Sequence, residues 1–408
     1  MSGPLEGIRV VELGLWVAGP ACAAILCDWG ADVIKIEPPN GDPFRGLFSS
    51  VFASGAGANP PPFEVDNRGK RSVALNLEHP DARAIAHRLV DAADVFVTNM
   101  RPRVLEQFGL DYETASASNP RLVYAQVTGY GADGPNRDRA AYDIGAFWSR
   151  AGVGAMLVPK GAPLPHQRGG MGDHMTGMSA AGAVAAALVA RERTGKGQRV
   201  STSLMRVGTY MMSWDIMLAL RLKAPVEPYD REHALNPIIN CYQAGPSAGS
   251  GQAGRWFWLL LLQADRHWPD LCRAVGREDL LADERFGDIN ARRLHAPELV
   301  AELDRAFATK PLEEWGAILD RENVWWAAVN NVNDVVVDPI AHEAGVFPEI
   351  EGPDGPLPIV ATPADFSATA SAPRGPSPEL GQHTEEVLLE LGYDWEQIIP
   401  LKEQGAIP

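Results

Sequence analysis

The sequence predicts an α/β protein built on a parallel, doubly wound sheet. Three observations carry that expectation: a β-α-β unit across residues 8–37, further strand-like runs at 72–77, 95–98 and 122–127, and a helical segment at 80–91 between two of them. Strands that alternate with helices are joined by crossovers, and crossovers give a parallel sheet covered on both faces.

Taken in order, Ile8-Arg9-Val10-Val11-Glu12-Leu13 reads as the first strand and Asp32-Val33-Ile34-Lys35-Ile36-Glu37 as the second. Between them residues 20–29 read as a helix, with Pro20 near its start and Gly30 just past its end. Residues 41–70 dissolve into Gly, Pro, Ser and Asn and read as a long loop over the sheet edge. From His174 to Ala190 the only titratable side chain is the histidine, and Arg191-Glu192-Arg193 ends the run. Mostly Ala and Gly, it is too short and too weakly apolar for a membrane span and reads as a buried helix packed through small side chains. A turn at 194–198 and a strand at 200–204 follow. A loop-rich zone at 222–255 marks a transition, after which come a strand-like run at 256–262, helical segments to about residue 320 and a proline-richer tail with a helical stretch at 385–391.

A chain of 408 residues exceeds one ordinary core, so two domains or one large insertion are expected. The net charge of −16 argues against nucleic acid and anionic membranes as partners, although a few local Arg and Lys residues suffice for a phosphate-bearing cofactor. Cys22, Cys27, Cys241 and Cys272 form no CxxC pair and no metal-like cluster, and the first residues lack a basic stretch followed by an apolar run. No metal and a reducing cytoplasm are therefore expected. Gly14-Leu15-Trp16-Val17-Ala18-Gly19-Pro20 stands where a G-x-G-x-x-G would follow the first strand, which disfavours a dinucleotide-dependent dehydrogenase. Walker, H-E-x-x-H and G-x-S-x-G motifs are absent. Asp173 and His174 set an acid beside a base, but neighbours on a regular element point apart, so the two alone do not make a dyad.

Several stretches together resemble the class III CoA-transferases, the family of formyl-CoA and carnitine CoA-transferases and of the related 2-methylacyl-CoA racemases. They are the opening Pro4 to Leu13, Ala18-Gly19-Pro20, Gly30 to Glu37, Gly41-Asp42 with Arg45, Gly69-Lys70-Arg71-Ser72 and Asn99-Met100-Arg101-Pro102. Gly129-Tyr130-Gly131, Tyr142-Asp143, Gly172-Asp173, Thr194 to Gln198 and Leu380 to Leu388 continue the series in family order. The resemblance implies a Rossmann-like large domain formed by both chain ends, at 1–225 and 326–408, with a smaller α+β domain inserted at 226–325. It also implies a homodimer of interlocked, ring-like subunits.

The resemblance gives Asp173 the role of nucleophile towards an acyl-CoA thioester. The residues alone offer a second reading, an N-cap for the helix that follows. Coenzyme A, as part of the acyl-CoA substrate, would lie against Val17, Ala18, Leu75, Asn99, Met100, Arg101 and Tyr142, with Arg45, Lys70, Arg71 and Arg103 as phosphate partners. Two positions depart from formyl-CoA transferase: Gln107 replaces a phosphate-contacting arginine and Val17 a catalytic-site glutamine. That enzyme's run of four glycines over the active site is also absent, with Gly249-Ser250-Gly251 as the nearest substitute for a lid. Trp148, Trp214, Trp325 and Trp326 suggest an apolar site for the acceptor acid, with core packing as the alternative for each. The expected activity is CoA transfer from an acyl-CoA donor to a carboxylic acid acceptor. A racemase is disfavoured because Tyr142 stands where that branch carries histidine, and a noncatalytic CoA-binding protein because Gly172-Asp173 is intact.

Overall fold

The structure is a computed structural model that describes residues 3–47, 59–159, 161–223, 225–249, 252–352 and 355–408. They form two compact units, one of residues 1–155, 164–226 and 342–408 and one of residues 156–163 and 227–341.

The first unit holds a six-stranded sheet of β1 (Arg9–Leu13), β2 (Asp32–Glu37), β3 (Arg71–Ala74), β4 (Val95–Thr98), β5 (Val123–Thr128) and β6 (Gln198–Ser203). Its order is β3-β2-β1-β4-β5-β6 and every pairing is parallel, as the alternating pattern predicts. The central strands are buried on both faces, so their side chains serve two cores. Val10, Val33, Val95 and Val97 pack on the helices Ala18–Asp28 and Met171–Thr194, while Val11, Ile34, Ile36 and Phe96 face the helix Pro80–Asp91. The C-terminal helices Thr384–Glu390 and Trp395–Glu403 contribute Val387, Leu388, Ile398 and Leu401 to that second core. Gly177 lets the helices Ala18–Asp28 and Met171–Thr194 approach closely, because a Cβ there would lie 2.8 Å from the Ala21 Cβ and 2.9 Å from the Cys22 nitrogen. Among the described residues no helix is long and apolar enough to cross a membrane.

Three sequence expectations need correction. The stretch 41–70 is not all loop: the helices Pro43–Gly46 and Pro61–Asn67 stand on either side of residues 48–58, which lie outside the described residues. Proline opens each of them, in the first turn where its missing N–H costs nothing. Leu204 starts the helix Leu204–Met211, whose first turn Ser203 caps, and does not end the strand. Asp173 is not an N-cap; it stands three residues into its helix, behind Gly170 in the left-handed conformation.

The second unit carries an antiparallel sheet in the order Cys241–Gln243, Trp256–Leu259, Trp326–Ala328, packed with the helices Ala264–Ala274, Ala296–Phe307 and Leu312–Arg321. Phe257, Phe307 and Trp315 form a chain of edge-on ring contacts at 4.9 and 5.1 Å in its core. Of the lid expected at Gly249-Ser250-Gly251, residues 250 and 251 lie outside the described residues.

Candidate active site

The strand order reverses direction between β1 and β4, and ligands of open α/β sheets bind at such a switch, beyond the carboxyl ends of the strands. The loops leaving β1 and β4 are tied together there. Asn99 accepts from the Leu15 N–H at 3.0 Å and donates to the Leu15 carbonyl at 2.7 Å. Asp42 takes the Trp16 N–H at 3.1 Å and the Phe44 N–H at 3.0 Å. Beneath the loop Lys35 lies fully buried and joins Glu12 at 2.8 Å, Asp42 at 3.1 Å and the Gly14 carbonyl at 2.9 Å. These bonds hold Trp16 at φ 65°, a left-handed backbone conformation unusual for a bulky side chain and of the kind that clusters at functional sites.

Trp16 opens a cavity of about 470 Å³. Its apolar wall is Trp16, Val17, Phe44, Pro62, Val65 and Ile144, and its polar end is Asp66, Asp143, Gln167, Arg168, Asp173 and His174. Tyr142, mostly exposed, meets Trp16 edge-on at 6.1 Å.

The polar end is assembled at the start of the helix Met171–Thr194. Asp143, at the head of the π-helix Ile144–Arg150, accepts the N–H groups of Gly172 at 2.8 Å and Asp173 at 3.3 Å. It thus caps the helix from another part of the chain, and the Asp173 carboxylate is left over. That carboxylate has no hydrogen-bond or ion-pair partner among the described residues, and it faces the cavity. Gly172 makes the arrangement possible, since a Cβ there would stand 2.2 Å from Asp143 Oδ1 and 2.3 Å from the Phe147 ring.

Burial pushes the Asp173 pKa up to about 7; the Asp143 charge adds to the rise and the His174 charge opposes it. His174 Nε2 is bonded to Asp66 Oδ1 at 3.0 Å, not to Asp173. Burial works against its charge, but the bond to Asp66 and the surrounding carboxylates outweigh burial, and its pKa is raised above the ordinary imidazole value. Only an ionised carboxylate can attack a carbonyl, so if Asp173 acts as nucleophile the acid limb of kcat/KM is expected near pH 7. Asp143→Asn keeps an oxygen for the two N–H groups and removes a negative charge, which lowers the Asp173 pKa. The limb should then move down by on the order of one pH unit. A limb that stays in place in pH-rate profiles of the two proteins would show that Asp143 does not set it.

The structure brings Val17, Tyr142 and Asp173 together at the cavity, with Ala18 next in the chain and Asn99 holding the loop. Leu75 is fully buried and Met100 packs against the core. The basic residues fare differently. Arg45 makes a two-pronged pair with Glu37 at 2.8 and 2.7 Å, Arg71 pairs with Asp32 and Glu390, and Lys70 is buried on Glu12 at 2.6 Å. These three hold the fold together, whereas the Arg101 and Arg103 side chains are exposed and have no ion-pair partner among the described residues. Neither Trp148, which is nearly buried and packed on Gly154, nor Trp214, which is exposed, lines the cavity; Trp325 and Trp326 belong to the second unit. The aromatic wall comes from Trp16 and Phe44, which sequence reasoning passed over. The run Gly14-Leu15-Trp16-Val17 directly after the first strand was the available signal.

The chain is similar to known proteins over nearly its whole length. The (R)-2-hydroxy-4-methylpentanoate CoA-transferase of Clostridioides difficile is 33% identical over 404 residues, with 99% of each chain covered. The cinnamoyl-CoA:phenyllactate CoA-transferase of Clostridium sporogenes is 32% identical, covering 98% of this chain and 97% of its own. The crystal structure of a CAIB/BAIF family protein from Brucella suis superposes with a TM-score of 0.82 at 29% identity, covering 96% of this chain and all of that one. The family model of CoA-transferase family III matches residues 5–384. The chain belongs to this family and is a class III CoA-transferase.

Proposed function

We propose that the protein moves coenzyme A between carboxylic acids through covalent intermediates on Asp173, and that the acids have an apolar, branched or aromatic body. The observation that carries this reading is the unpartnered Asp173 carboxylate at the mouth of an apolar cavity.

The chemistry balances as an exchange of leaving groups. A carboxylate oxygen of Asp173 attacks the thioester carbonyl of the acyl-CoA, the C–S bond breaks, and CoA leaves as thiolate with a mixed anhydride on Asp173. The thiolate then attacks the aspartyl carbonyl, which frees the donor acid as carboxylate and leaves an aspartyl-CoA thioester. The acceptor carboxylate attacks that thioester, releasing the thiolate and forming a second anhydride, and thiolate attack on the acceptor carbonyl returns Asp173 as carboxylate. Thiolate and carboxylate are comparable leaving groups, so no step is strongly uphill. The helix N-terminus places positive potential beside the developing oxyanions, and the bond to Asp66 and the surrounding carboxylates favour the charged form of the neighbouring His174.

The cavity wall of Trp16, Val17, Phe44 and Ile144 suits an apolar acyl body, in keeping with the two relatives named for (R)-2-hydroxy-4-methylpentanoate and for cinnamoyl-CoA and phenyllactate. CoA phosphates fit Arg101 and Arg103 better than Arg45 and Arg71, whose charges are already met. The test is mass-spectrometric detection of CoA exchange across a panel of acids. Exchange with 4-methyl and phenyl acids but not with formate or oxalate is the expected pattern, and the reverse preference would contradict it.

The interlocked homodimer is part of the same proposal. The helix Ser213–Leu222 buries no residue within one chain, and Tyr210 and Trp214 are both 80% exposed, an apolar surface of the kind a second copy covers. Sedimentation should give a dimer that dissociates only with loss of structure. A folded monomer at micromolar concentration would refute it.

A further inference from the structure

A free acid reaches this site as its anion, since a simple carboxyl group loses its proton at about pH 4. To exchange CoA at Asp173 it must come to rest among other carboxylates, because Asp66, Asp143 and Asp173 all line the cavity. Like charges brought together repel, so the acid needs a cation to meet its own charge. Among the described residues the basic side chains that line the cavity are His166, Arg168 and His174. His174 Nε2 is bonded to Asp66 Oδ1 at 3.0 Å, and His166 Nδ1 to the Gln167 carbonyl at 2.7 Å. Arg168 has no hydrogen-bond or ion-pair partner among the described residues.

The backbone keeps Arg168 near the Asp173 carboxylate. Gln167 before it is buried, and Gly170 after it turns at φ 72° into the helix that carries Asp173. A Cβ at Gly170 would lie 2.9 Å from the His174 ring and 3.7 Å from Val17 Cγ1, so this segment passes against the polar end of the cavity. Arg168 itself is exposed, which leaves its guanidinium open to a ligand. A guanidinium stays charged at any working pH and can pair with one carboxylate oxygen while the other faces a carbonyl. CoA phosphates are a poorer match, because the pantetheine arm separates them from the thioester that has to reach Asp173. We propose that Arg168 binds the carboxylate of the free acid beside Asp173 and so sets the enzyme's affinity for acids but not for acyl-CoA. This rests on Asp173 being the acylated residue of the site.

The experiment measures KM separately for butanoyl-CoA as donor and 4-methylpentanoate as acceptor in steady-state exchange. Arg168→Met, without charge or donor, should raise KM for the acid by roughly 10- to 100-fold and leave KM for butanoyl-CoA within about 3-fold. Arg168→Lys keeps the charge and should fall between wild type and the Met variant. Both variants should keep the wild-type Tm, since the side chain is exposed and unpaired. Hydroxylamine added with butanoyl-CoA alone should modify Asp173 equally in wild type and Arg168→Met, because no free acid has yet to bind. An unchanged KM for the acid, an equal rise in both KM values, or failure of both variants to fold would overturn the proposal. An unchanged KM for the acid with Asp173 modified as expected would sink only the role of Arg168. Exchange by wild type with Asp173 never modified would sink the reading on which the proposal rests.

Discussion

Asp173→Asn is expected to abolish CoA exchange, by roughly 10⁴-fold or more, and at the same time to make the apo protein more stable at neutral pH. The two effects have one cause. The Asp173 pKa is raised to about 7 in the folded protein, so ionisation is less favourable folded than unfolded. Its contribution to stability is fully present below the unfolded carboxyl pKa, about 3.9, and is lost as pH rises through the folded value. Asparagine keeps the shape and removes the charge. At pH 8 the gain should be roughly 1–2 kcal/mol, allowing for solvent screening of a partly exposed group, and it should vanish near pH 4. Denaturant unfolding at the two pH values checks this. A variant that is inactive and less stable at pH 8 would mean that Asp173 supports the helix and is not held in a costly charged state.

The second large effect is expected at Gly172. Alanine would place its Cβ 2.2 Å from Asp143 Oδ1 and 2.3 Å from the Phe147 ring, both fixed by burial. Asp143 or the helix start must move, which breaks the two N–H bonds that orient the turn bearing Asp173. Destabilisation of about 2–4 kcal/mol is expected. The folded fraction should also lose about 100-fold in kcat through misplacement of the proposed nucleophile, Asp173. Unfolding and single-turnover measurements on Gly172→Ala would separate the two terms. Near wild-type behaviour in both would show that the contact is relieved without moving the carboxylate.

Local signals made much of the fold legible. The β-α-β unit of residues 8–37 announces itself by apolar runs around a helix bounded by Pro20 and Gly30, and the parallel pairing of the sheet follows the alternation it begins. The short helices beside residues 48–58 escaped because proline and glycine composition reads as loop whether or not a single turn of helix forms there. The site was legible only at the residues the family resemblance marks. Its supporting members come from far apart: Asp143 stands 30 residues before Asp173, and Asp66 lies 108 residues from His174. No spacing rule joins such positions. For the same reason the sequence could not tell a phosphate-binding arginine from one paired inside the fold. Arg45 and Arg71 look available until Glu37, Asp32 and Glu390 are seen beside them.

The two sides of the Asp173 environment explain each other. A carboxylate with no partner, behind a helix cap supplied by Asp143 and beside a His174 already committed to Asp66, is poor design for stability and good design for attack on a carbonyl. The central claim is that this carboxylate becomes acylated. The most direct measurement is to incubate wild type with a 4-methylpentanoyl-CoA donor, add hydroxylamine, and map the modified peptide by mass spectrometry. Hydroxamate on Asp173, and on no other carboxylate, is the result expected. Modification at a different residue, or full CoA exchange with Asp173 never modified, would contradict the covalent mechanism.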